Sequence, residues 1–160
     1  MVVTSYTNVA YKQVLKGVET LLETEFAGSV YFYLDSEYNA SIAGNKPAVR
    51  LWALEPEPIT RFAGNGGTSH RYPVEIMVYR SIGQRSRRVV FDEVHEVAHR
   101  IKRVLENNAD YSLSAVYQWH AGEITGPDAN PDRVEDVDPP PDKFSMASLE
   151  YNVTVTELFS

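Results

Sequence analysis

The closing stretch of the chain, Phe144 to Phe159, alternates in polarity. Leu149, Tyr151, Val153 and Val155 fall on one side and Ser148, Glu150, Asn152, Thr154 and Thr156 on the other. A period of two sustained this far fits a strand with one face buried and fits no helix. The chain must therefore build a sheet and cover one side of it. Tyr111 to Ala121 repeats the pattern, with Leu113, Ala115, Tyr117 and Trp119 set against Ser112, Ser114, Gln118 and His120. From His70 to Arg80, Tyr72, Val74, Ile76 and Val78 share one face, while Glu75, Met77 and Tyr79 share the other. Pro73 implies that part of this strand lies at a sheet edge or start, because proline brings no N–H to a ladder. Two shorter strands are expected at Val30 to Leu34 and at Val49 to Glu55, the second ended by Pro56 and Pro58.

The cover is helical. Between Thr7 and Phe26, the residues Tyr11, Val14, Leu15, Val18, Leu21, Leu22 and Phe26 recur at three- and four-residue intervals, with Thr7 or Asn8 as N-cap. A second helix is expected over Val89 to Asn108. At 100° per residue, its Val90, Phe91, Val94, Val97, Ala98, Ile101, Val104 and Leu105 fall within an arc of roughly 140° and are read as core. The loop between Phe62 and Ser69 contains Ala-Gly-Asn-Gly-Gly-Thr. It leads into a strand rather than a helix, so it is read as a flexible loop and not as a phosphate cradle. The order of elements gives an α+β class: a largely antiparallel, mixed sheet of about five strands with two main helices packed on it.

The chain has 160 residues, which fits one domain spanning 1–160. It contains no cysteine, which removes thiolate nucleophiles, disulfide frameworks and cysteine-ligated zinc. Met1 to Asn8 lack the basic and apolar regions of a secretory signal, and no apolar run approaches a membrane span. The net charge is −7. Its distribution is uneven. Between Gly122 and Lys143 lies a segment with Pro127, Pro131, Pro139, Pro140 and Pro141. Its acids are Glu123, Asp128, Asp132, Glu135, Asp136, Asp138 and Asp142, against Arg133 alone from 123 to 142, so it holds six of the seven net negative charges. It is expected to be a long functional loop inserted between the last two strands.

Arg80, Arg85, Arg87 and Arg88 cluster around a turn with Ser81, Gly83, Gln84 and Ser86. Guanidinium groups in such a turn suit an acidic partner surface. The same chain offers one: in a homo-oligomer the basic turn of one subunit would meet the acidic segment of the next, head to tail, with Asp128, Asp132, Glu135, Asp136, Asp138 and Asp142 on the acidic side. His95-Glu96-Val97-Ala98-His99 matches the H-E-x-x-H pattern of zinc peptidases, in which two histidines one helical turn apart hold the metal and the Glu acts as base. Against that reading, Glu93 and Arg100 flank the motif, and Lys102 and Leu105 stand where a metzincin extension needs Gly and His. His95 and His99 also lie about 110° and 150° from the centre of the apolar arc. The pair is therefore read as part of a charged helix face, with His95 and His99 as metal ligands only in the alternative. No G-x-S-x-G signature supports a nucleophilic hydrolase, and no catalytic residue or cofactor is assigned.

Four segments together carry a resemblance. They are the opening helix Tyr11-Lys-Gln-Val-Leu-Lys-Gly-Val-Glu-Thr-Leu-Leu22, the strand Arg71-Tyr-Pro-Val-Glu-Ile-Met-Val-Tyr79, the helix from Val90-Phe-Asp-Glu-Val through Ile101-Lys-Arg-Val-Leu105, and the strand Leu149-Glu-Tyr-Asn-Val-Thr-Val155. In this order the chain resembles the tail-terminator or tail-completion proteins of long-tailed bacteriophages. The resemblance implies a ring, usually a hexamer, at the head-proximal end of the tail tube, where it ends tube polymerisation and offers a docking surface to the head connector. It implies self, tail tube protein and head-tail connector as partners, DNA passing through the lumen without sequence-specific contact, no cofactor and no membrane. The protein would then belong to the virion tail or neck and be assembled in the cytoplasm of the bacterial host. The acidic insertion at 122–143 is not part of that pattern. Another neck or head-completion adaptor, and a small zinc metallopeptidase, stand as the alternatives.

Overall fold

The computed structural model describes residues 10–34, 46–61, 67–108, 117–128 and 144–158. In chain order the elements are α1 (Ala10–Phe26), β1 (Tyr31–Leu34), β2 (Ala48–Ala53), β3 (Glu57–Arg61), β4 (Gly67–Ser81), α2 (Arg87–Asn107), β5 (Tyr117–Asp128) and β6 (Phe144–Leu158). The strands form one sheet in the order β1-β2-β4-β6-β5, with β3 also paired to β4. Among the described residues, β1 and β2 run parallel and the other pairs are antiparallel. The expected α+β class with a mixed, largely antiparallel sheet holds, with six strands among the described residues where about five were expected.

The spine of the sheet is the pairing of β4 with β6, unbroken from Gly67 opposite Leu158 to Ser81 opposite Phe144. On the helix side, Val74, Ile76 and Val78 of β4 and Ala147, Leu149, Tyr151, Val153 and Val155 of β6 are all buried. The alternation read from both segments therefore marks the core face correctly. The helices close the core with Val14, Val18, Leu22 and Phe26 of α1 and Val90, Val94, Val97, Ala98, Ile101 and Leu105 of α2. These intervals of three and four keep one stripe on the sheet. The end of α1 is set by Ala27 and Gly28, both at positive φ, and by Ser29, whose N–H and Oγ both donate to Phe26 O. Asn108 ends α2, its side-chain amide donating to Val104 O at 2.7 Å.

The opposite face is not purely polar. Trp52, Met77, Tyr79 and Met146 are buried apart from the helix-side core, and Arg50 lies over the Trp52 ring at 4.8 Å.

Several boundaries differ from the sequence reading. Pro56 and Pro58 do not end the pairing along β4: β3 resumes at Glu57, and Pro58 sits opposite His70. As a short segment paired to β4 alone, β3 tolerates a residue without an N–H. Gly67, Thr68 and Ser69 belong to β4 rather than to a loop, because β6 extends far enough to pair with them. Pro73 is in the middle of the sheet, not at its edge. Its carbonyl accepts from Leu54 N at 2.9 Å, so its nitrogen faces the break between β2 and β3, where the ladder is interrupted and a missing donor costs little. Residues 122–128, expected to open the long loop, extend β5 to Asp128, with the register shifting twice along the way. Thr7, Asn8, the loop residues 62–66, the strand start at 111–116 and the acidic residues from 129 to 143 lie outside the described residues.

Candidate interaction surface

One end of the sheet closes where Ser81 pairs with Phe144, and the chain turns there through Gly83 into the first residue of α2, Arg87. Gly83 has φ +54 with open space around it, so the turn needs a left-handed residue and glycine supplies it. Beside the turn lies an open groove of about 570 Å³ lined by Ile82, Arg87, Arg88, Phe91, Asp92 and Ser145. Phe91 is 45% exposed and Val89 59%. Phe91, expected in the core, is thus a correction. Nine residues at 100° place it about half a turn around the helix from Arg100, and Arg100 is the residue that faces α1. Phe91 therefore projects from the flank of α2 that turns away from α1. It packs against His95 in a tilted arrangement with ring centroids 4.1 Å apart.

Arg87 and Arg88 are poorly placed for helix stability. They occupy the first turn, where the macrodipole is positive, no acidic residue offsets them, and the N-cap Ser86 makes no side-chain capping bond. Local energetics would favour Asp or Glu here. Two guanidinium groups next to an exposed aromatic ring instead make a surface suited to carboxylates and flat apolar groups.

The basic residues read from the sequence separate into two sets. Arg85, Arg87 and Arg88 are exposed at the turn and groove. Arg80 is not: its side chain is 10% exposed and forms an ion pair with Glu93 of α2. Burial, then the neighbouring Arg85 charge, hold its guanidinium below its ordinary pKa. Arg80 therefore ties α2 to the sheet, and Glu93, which flanks the His pair, is engaged in that tie. Of the acidic residues, Asp128 is exposed at the end of β5, opposite Ser148, while Asp132, Glu135, Asp136, Asp138 and Asp142 lie outside the described residues. The register adds what spacing alone did not show: Phe144, where the chain returns from the acidic segment, is the cross-strand partner of Ser81, where the basic turn begins.

His95 and His99 share a helix flank but not an environment. His95 is half-buried with Nε2 lacking a hydrogen-bond partner, whereas His99 is exposed. Desolvation, then the nearby His99, lower the pKa of His95, and Asp92 opposes them. Among the described residues, no group of three potential ligands comes together around the pair. Arg100, the other flanking charge, bridges the helices: it pairs with Glu25 at 3.1 Å and covers the Phe26 ring at 4.5 Å. Among the described residues, no helix is long and apolar enough to cross a membrane.

Ile82, Val89, Phe91 and Ser145 are the surface residues that sequence reasoning missed. Val89 was the available signal, an apolar residue next to two arginines at a helix start and outside the apolar arc.

No protein-family model matches the chain, and no curated protein matches it. Solved structures do. The chain superposes on the sheath/tube terminator of an extracellular contractile injection system, in its extended state, with a TM-score of 0.60 at 12% identity. The match covers 98% of this chain and 58% of that one, so this chain spans well under two thirds of the terminator's length. A second solved chain superposes with a TM-score of 0.52 at 13% identity over 96% of this chain and 99% of its own. The α+β fold of this protein is thus shared with part of a sheath/tube terminator.

Proposed function

We propose that this protein is a tail terminator: a subunit of a ring that caps the tail tube of a phage or phage-like particle, ends tube polymerisation and presents a docking surface to the component above it. The observation that carries this reading is the superposition over nearly the whole chain on a sheath/tube terminator. Fold likeness is an analogy on its own, and the surface chemistry supports it. The exposed basic, partly apolar groove belongs to a protein that works by contact with other proteins.

In this reading the ring is a homo-oligomer, a hexamer as in the phage family that the sequence resembles, and the protein belongs to the tail or neck of the particle, assembled in the bacterial cytoplasm. Its partners are further copies of itself, the tube protein and the head-tail connector. DNA passes through the lumen unread, in keeping with a net charge of −7. The protein acts without catalysis or cofactor. Arg85, Arg87 and Arg88 supply the basic side of the subunit contact, and Asp128, Asp132, Glu135, Asp136, Asp138 and Asp142 the acidic side.

The test is direct. Purified protein is added to the polymerising tube protein of the same particle and the tubes are examined by negative-stain electron microscopy. A terminator stops growth and appears as a ring at one tube end; tubes of unchanged length with bare ends would reject the role.

A further inference from the structure

Self-assembly by head-to-tail contact needs a receiving surface and an inserting one on the same molecule. The receiving surface is described above: a groove lined by Ile82, Arg87, Arg88, the half-exposed Phe91, Asp92 and Ser145. Among the described residues it stands open. The groove has two chemistries side by side, two guanidinium groups and a half-exposed aromatic ring. A ligand that uses both must be acidic and must carry compact apolar groups that need little ordering.

The chain contains a segment with those properties. Asp136-Val-Asp-Pro-Pro-Pro-Asp142 places three consecutive prolines between carboxylates. Proline runs favour the polyproline II conformation, lose little entropy on binding, and dock onto aromatic-lined grooves. The carboxylates on either side match the arginines. The fifteen residues from 129 to 143 could extend about 45 Å at roughly 3.1 Å per residue, enough to leave one subunit and reach the next.

We propose that the groove formed by Ile82, Arg87, Arg88, Phe91, Asp92 and Ser145 receives the acidic proline-rich segment of a second copy of this chain, with prolines against Phe91 and carboxylates on Arg87 and Arg88, away from Asp92. This deepens the ring reading and rests on it. It also accounts for two arginines kept at a helix start where they oppose the dipole: their partner arrives from another subunit.

Two defective full-length variants test the contact. The groove variant is Arg87→Glu/Arg88→Glu, and the segment variant converts Asp132, Asp136, Asp138 and Asp142 to Asn and Glu135 to Gln. Circular dichroism and thermal melts confirm that both are folded, and assembly is read by mass photometry and sedimentation velocity in low salt. The wild type forms closed oligomers, and each variant alone needs at least about tenfold more protein to associate, as expected for loss of close interfacial charge pairs. Mixed together, the variants restore one good contact per pair, the intact segment of one in the intact groove of the other, giving a heterodimer and nothing larger. Phe91→Ala weakens wild-type assembly without changing its salt dependence.

Oligomers of wild-type size from both variants would overturn the proposal, as would a mixture that stays monomeric, which would place the segment on its own groove. A wild type that stays monomeric at every concentration would overturn it too. The readout is self-association alone. A protein that passes this test but leaves tube growth unaffected would fail as a terminator while keeping the contact, so the two failures are distinguishable.

Discussion

Arg80 on β4 and Glu93 on α2 form an ion pair at the margin of the core, with the arginine side chain 10% and the glutamate 32% exposed. It fixes the start of α2, and with it the groove, against the end of the sheet. A buried guanidinium that loses its carboxylate keeps its desolvation cost without its compensation. Glu93→Ala should therefore destabilise the protein by about 2–3 kcal/mol, below the roughly 3–5 kcal/mol of a fully buried broken pair because Glu93 is partly hydrated. Arg80→Met should cost less than Glu93→Ala, since it removes the charge and keeps the stem. Urea denaturation of the three proteins decides the order; equal losses would mean that packing of the stem, not charge, matters here.

Arg87→Glu/Arg88→Glu should act in opposite directions on two properties. Reversing charge at a helix start improves the interaction with the macrodipole, by about 0.5–1 kcal/mol in total at low salt. The same change removes the groove's cations. Thermal melts should show a small rise in Tm at low ionic strength that shrinks with added salt, while self-association weakens.

The pH response of His95 follows from its surroundings. Its folded pKa lies below the unfolded value of about 6.5, chiefly through desolvation and secondly through His99. Above the unfolded value both states hold a neutral ring, so nothing is gained or lost. As pH falls through that value the unfolded chain takes up the proton more readily, and stability declines until the folded pKa is passed. His95→Gln should reduce the drop in urea midpoint between pH 7 and pH 5 relative to wild type. An unchanged drop would assign it to other groups.

Gly126 and Gly83 both have positive φ but differ in surroundings. A Cβ on Gly126 would meet the backbone oxygen of Ser148 at 2.7 Å, whereas one on Gly83 would meet nothing within 4 Å. Gly83→Ala should cost about 1 kcal/mol, the conformational penalty alone. Gly126→Ala should cost about 2–3 kcal/mol, since strain and clash add and the β5–β6 pairing must shift. Chemical denaturation of the two variants side by side gives the comparison.

Arg100→Ala should cost about 1 kcal/mol, chiefly from the lost stacking on Phe26. Its ion pair with Glu25 is well exposed on both sides and adds little. The loss should therefore persist in high salt, measured as the change in urea midpoint at low and high sodium chloride.

Local periodicity determined much of this protein. The alternation in β4 and β6 and the three- and four-residue spacing in α1 and α2 identified most of the core face, Phe91 excepted, because burial against a single apolar layer imposes its period on the chain. Charge counting also located the acidity in one segment. Other features depended on neighbours distant in sequence. Pro73 sits in the middle of the sheet because β2 and β3 break their ladder beside it, and Phe91 is exposed because it turns away from α1. Arg80 left the basic turn because Glu93 comes within reach across the helix–sheet boundary. None of these partners lies within one turn or one strand of the residue it affects, so no local pattern encodes them. The sequence by itself determined which faces must be buried and where the charge resides. Only the tertiary structure decided which apolar and basic groups were left outside the core, since exposure depends on what packs alongside a residue and not on the period it obeys.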